Sequence, residues 1–190
     1  MKLEILNEED GVLEAQLSQA NDAIANTLRR AMMVKVPTLA IKELHINQNE
    51  SGLFDEVLAN RMGQIPFTIP ENVDEDDTVH IAVQQEGPGV VHAEDIKADN
   101  DEAEPVNPDA LIVELKEDQE LTLEGEAVLG TGEQHAKHQG GTAGYQKTDD
   151  GQYIFRIEST SGYTNEELLK QGIKQVQKEL DRFEEAVKEL

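Results

Sequence analysis

Ile173, Val176, Leu180, Phe183, Val187 and Leu190 recur at spacings of three and four residues up to the last position of the chain. Such spacing keeps one apolar stripe on one side of a helix and is the pattern of a two-helix seam. Ahead of it, Thr164 and Glu167 stand three apart, the capping-box arrangement in which each side chain satisfies a backbone N–H left free at a helix start. A helix of about 27 residues from this cap is about 40 Å long, more than a core of this size easily covers. Part of the seam is expected to face another chain; the plainer alternative is a helix lying wholly over its own sheet.

Two segments near the front are also built like docking surfaces. In NDAIANTLRRAMMVKVPTLAI (Asn21 to Ile41), Ile24, Leu28, Ala31 and Met32 fall on one helical stripe that Pro37 stops. Arg29 and Arg30 sit beside the stripe. They suit phosphate, or water, or charged hydrogen bonds to carboxylates on a partner, the last being the reading adopted. In LFDEVLANRMGQIPFTIP (Leu53 to Pro70), Leu53, Val57 and Leu58 can share a helical face, with Asp55, Glu56, Asn60 and Arg61 outward, before Gly63, Pro66 and Pro70 end the helix.

Around these segments the chain reads as strands. KLEIL and VLEAQL flank the Asp10-Gly11 turn signal and predict a hairpin. LAIKELHIN (Leu39 to Asn47) predicts a strand with one irregular step, giving a β, β, α, β front end. From Ile41 to Gln152 short strands such as VHIAV, LIVEL and ELTLEGEAVL alternate with acidic connections, which predicts a β-rich insert. ADNDEAEPVNPD (Ala98 to Asp109) has little to bury and is expected to be a mobile loop without assigned function. After Asp150-Gly151, YIFRIES predicts a strand with Tyr153, Phe155 and Ile157 on one face.

Forty acidic residues against sixteen basic ones give a formal charge of −24. Such a chain repels a nucleic-acid backbone, so broad DNA contact is not expected, and its self-repulsion is best tolerated in a salt-rich, halophilic cytoplasm. No cysteine occurs, which removes disulfides, thiolate zinc sites and cysteine-held iron-sulfur clusters. No leader-like segment and no run of 18 apolar residues is present, so a cytoplasmic protein that does not span a membrane is expected.

Chemistry finds little purchase. His135 and His138, three apart, could share a helical face and hold zinc with His92 or a carboxylate, which would suit a stand-alone metal-dependent hydrolase. The glycines at 130, 132, 140 and 141 argue against a long helix there, and no HExxH, GxSxG, P-loop or GxGxxG pattern occurs. No metal, cofactor or catalytic residue is expected. An acidic adaptor pairing through its last helix is the other alternative.

The LRRAM helix, the VPTLAI strand entry, the LANRMGQIP turn, GTGEQHAKHQGG (Gly130 to Gly141) and the final amphipathic helix together resemble the alpha-like assembly subunits of archaeal DNA-directed RNA polymerase, a family related to the bacterial alpha subunit's amino-terminal domain. The resemblance covers nearly the whole chain. An insert that many relatives carry between the HAK-type segment and the last strand, sometimes with an iron-sulfur cluster, is missing. The implied fold is α+β: an alpha-like dimerisation domain of a sheet plus long helices from residues 1–40 and 153–190, interrupted by a β-rich insert at 41–152. The implied function is non-catalytic assembly. Subunit L would pair through the LRRAM and terminal helices, forming a platform for the large catalytic subunits and small subunits N and P. The implied interface residues are Ile24, Leu28, Arg29, Arg30, Met32, Asp55, Glu56, Asn60, Arg61, His135, Lys137, Ile173, Val176, Leu180, Phe183 and Val187.

Overall fold

The computed structural model describes residues 1–74 and 76–188. Leu190, the last position of the expected seam, lies outside the described residues. In chain order the strands and helices begin with β1 (Lys2–Glu9), β2 (Val12–Ser18), α1 (Asp22–Arg30), β3 (Thr38–Asn49), α2 (Asp55–Gly63), β4 (Pro66–Phe67) and β5 (Thr78–Glu86). They continue with β6 (Gly89–His92), β7 (Lys97–Ala98), β8 (Leu111–Leu115), β9 (Glu120–Gly130), β10 (Gly141–Lys147), β11 (Tyr153–Ser159) and α3 (Asn165–Lys188). A π turn at Ala31–Lys35 extends α1. The chain divides into two compact units, one from Met1–Pro37 with the residues from Thr131 on, the other Thr38–Gly130.

The first unit is an antiparallel sheet in the order β1-β2-β11-β10. The hairpin predicted at its start forms, with Asp10 at φ 52° and Gly11 at φ 76° supplying the positive angles that a tight two-residue turn requires. Strand alternation puts Leu13, Ala15 and Leu17 of β2 beside Ile157, Phe155 and Tyr153 of β11, all buried. Ala25 and Leu28 of α1, Met32 of the π turn, and Leu168 and Leu169 of α3 complete this core. Each large apolar side chain buried there contributes about 1.5–3 kcal/mol. The capping box at α3 is formed: Glu167 N–H donates to Thr164 Oγ1 at 3.3 Å, and Thr164 N–H donates to Glu167 Oε2 at 2.8 Å.

β10 belongs to this sheet, whereas the sequence reading places it in the insert. It pairs with β11 from Gly141↔Ser159 to Lys147↔Tyr153. Glycine is required where it enters, because a Cβ on Gly140 would stand 2.5 Å from the Met32 carbonyl oxygen and one on Gly141 2.4 Å from that of Glu158.

The second unit holds a five-stranded sheet in the order β4-β3-β9-β5-β7 and a two-stranded ribbon of β6 and β8. α2 packs on β3 and β8 through Leu58 and Met62. β3 carries two register shifts against β9, after Ile41 and after Ile46, one more than its sequence suggests. The stretch expected as a mobile loop is instead stitched down by backbone bonds. Thr68 N–H donates to Glu104 O at 2.8 Å, Val106 N–H to Pro66 O at 2.9 Å, and Ala103 is buried. Its side chains have little to bury, but its peptide groups do the pairing. Among the described residues no helix is long and apolar enough to cross a membrane.

A candidate protein-docking face

α1 and α3 lie on the same face of the first sheet and leave between them an apolar groove of about 470 Å³. Ala23, Ile24, Thr27 and Leu28 form its α1 wall, Ile173, Val176, Gln177 and Leu180 its α3 wall, and Met1, Leu3 and Leu17 its strand side. Five residues expected at the partner interface, Ile24, Leu28, Ile173, Val176 and Leu180, are thus brought together. The strand residues were not anticipated, since alternation in a strand shows which side chains share a face but not that the face stays partly open.

The apolar stripe of α3 runs on past the groove. Buried residues of this helix stop at Gly172, whereas Leu180 is 63% exposed, Phe183 69% and Val187 50%. Large apolar side chains thus stay in water along the second half of the helix. Lys35 of the π turn forms an ion pair with Glu179 of α3 and lies 3.8 Å from Glu133, fixing the base of the free half of the helix. At the other end of the groove, Asp22 in the first turn of α1 accepts hydrogen bonds from Lys147 Nζ and the Tyr153 hydroxyl. The lysine first and the hydroxyl second hold the Asp22 carboxyl below the usual carboxylate range, and Asp22 first and the Tyr153 hydroxyl second raise Lys147.

Other expected interface residues take different places. Met32 is fully buried beneath α3 and is core, not surface. Arg29 folds back on its own helix, its Nε and Nη2 donating to Asn26 Oδ1 at 3.3 and 3.1 Å and its Nη1 lying 3.0 Å from Met33 Sδ, while Arg30 is exposed. In the second unit Asp55, Glu56 and Asn60 are exposed, but Arg61 is half-buried and donates to the Ile112 carbonyl at 2.5 Å. The helix is also turned from the expected face. Val57 is exposed and Phe54, just before α2, is 80% exposed. His135 is exposed, its Nδ1 accepting from Lys137 N–H, whereas His138 is buried, so the two imidazoles do not share a face. Lys137 is half-buried. Among the described residues no three His, Asp or Glu side chains gather as around a metal.

Comparison with known proteins places this architecture. A family model described as the RNA polymerase Rpb3/RpoA insert domain matches residues 39–150. DNA-directed RNA polymerase subunit Rpo3 of Natronomonas pharaonis is 46% identical over 125 residues, 65% of this chain and 51% of the relative. Its namesake in Halobacterium salinarum is 40% identical over 145 residues, 76% of this chain and 58% of the relative. That of Methanocaldococcus jannaschii is 33% identical over 161 residues, 85% and 83%. The chain spans between half and three-fifths of the length of the first two relatives and most of the third. With the family model covering more than half the chain and these relatives matching both of its units, the chain belongs to the archaeal DNA-directed RNA polymerase subunit Rpo3 family.

Proposed function

We propose that this chain is a non-catalytic assembly subunit that pairs with subunit L through the α1–α3 groove and the free stripe of α3. One observation carries the reading: the groove is continuous with Leu180, and from there the exposed stripe runs on to Val187, so one elongated partner could cover both. The insert residues Asp55, Glu56 and Asn60, with Phe54 and Val57 beside them, serve as a second contact, toward a large catalytic subunit. Subunits N and P gather on the same platform. The magnesium-dependent active site of nucleotide polymerisation lies on the large subunits, and this chain supplies position and stability. A partition into a dimerisation half and an insert, a cytoplasmic location and a salt-rich setting all accord with this role. A hydrolase at His135 and His138 finds no support in rings that are oppositely buried and exposed.

The test is sedimentation of the purified chain with and without subunit L in molar potassium chloride. The expected result is self-association or poor behaviour alone and a stable one-to-one complex with subunit L. A monodisperse chain that ignores subunit L overturns the reading.

A further inference from the structure

Tyr153 ends the apolar row of β11 with its ring buried, and its hydroxyl donates to Asp22 Oδ1 at 2.6 Å. Lys147, opposite Tyr153 in the β10–β11 register, donates Nζ to the same oxygen at 2.8 Å and lies 5.4 Å from the Tyr153 ring centroid. One carboxylate oxygen therefore ties the first turn of α1 to two strands. The next two residues of α1, Ala23 and Ile24, are groove wall, and the strand partner of Tyr153 on β2 is Leu17, also part of the groove.

α1 has nine residues, fewer than an isolated helix needs to hold its shape in water, so its place is set by tertiary contacts: the buried Ala25 and Leu28 along its middle and what grips its two ends. Its carboxyl end runs into the π turn and the buried Met32. Its amino end is gripped by Asp22, a carboxylate that also suits the positive end of the helix dipole. We propose that Asp22, Tyr153 and Lys147 form a latch that fixes α1 against the sheet and so sets the shape of the groove, which makes them positioning residues for subunit pairing although none of the three lines the groove. The inference rests on the pairing reading above.

The experiment uses the full chain and measures subunit L affinity for D22A, Y153F, the double variant and D22N, together with amide exchange of the free chain. D22A, which removes both hydrogen bonds to the carboxylate, and Y153F, which removes one of them, are each expected to weaken pairing about fivefold or more. The double variant is no worse than D22A, because D22A already removes the bond that Y153F breaks. D22N, which keeps an acceptor for the tyrosine hydroxyl, recovers most of the affinity. Exchange in Y153F quickens along α1 and stays unchanged in β2 and β11, a pattern that general destabilisation would not give. Single variants within twofold of the parent, additive losses, or exchange that quickens everywhere overturn the latch. If the parent chain itself does not bind subunit L, the pairing reading falls, and exchange along α1 alone then decides the latch.

Discussion

Gly172 of α3 sits so close to Met32 that a Cβ added to the glycine would stand 2.5 Å from the methionine Cγ. The absent side chain lets α3 close over the π turn, and this closure makes Met32 core while Ile173, one residue along the helix, stays on the groove. G172A sets two effects against each other. Alanine gains about 1 kcal/mol of helix propensity, but forcing a fully buried Met32 to repack costs about 1–3 kcal/mol. Overpacking wins, so thermal unfolding should show a net loss of about 1 kcal/mol. G144A in β10, where an added Cβ meets nothing within 4 Å, should be neutral or gain about 0.5 kcal/mol.

Leu180 and Phe183 stand in the middle of the free α3 stripe. Replacing both with Asp should leave folding intact, since neither is buried in the chain alone, yet abolish pull-down of subunit L, because an unpaired carboxylate in an interface costs several kcal/mol. E184Q with E185Q, off the stripe, breaks the exposed Glu184–Lys188 pair and should cost little. Capture by the Asp variant equal to that by the Gln variant, with circular dichroism unchanged, would mean that the stripe is idle.

What the sequence disclosed was mostly local. The Thr164–Glu167 cap, the Asp10–Gly11 turn and the 3-4 spacing of α3 are each set by residues a few positions apart, and each is present. What it hid depends on distant neighbours. Leu28 and Met32 share a stripe, but only the approach of Gly172 decides that one borders the groove and the other is sealed. The sequence reading leaves β10 in the insert because its strand partner, not its own Gly-rich pattern, defines its sheet. Residues 98–109 read as mobile because composition counts side chains, whereas β4 and its neighbours hold that stretch by peptide groups.

Molar salt should stabilise the protein. A formal charge of −24 repels itself across a chain of this size, and a Debye length of about 3 Å at 1 M, against about 10 Å at 0.1 M, removes most of that repulsion. The melting temperature should rise steadily with potassium chloride. A flat or falling profile would remove the salt-rich setting and leave the polymerase assignment standing.

The acid response should expose the α3 cap. Glu167 accepts hydrogen bonds from the Thr164 backbone N–H and then from its hydroxyl, and these contacts hold its carboxyl below the ordinary value of 4.5. Its folded pKa is thus lower than its unfolded one, so the stabilisation is complete above the unfolded value and is lost as pH falls through the folded one. T164A, which removes the hydroxyl, should cost about 1 kcal/mol at neutral pH in urea unfolding. E167A should cost a similar amount there, and its deficit should shrink as pH drops below 4.5, because the parent loses the same charged acceptor by protonation. An E167A deficit that stays constant through that acid range would show that packing, not the carboxylate, makes the difference at the helix start.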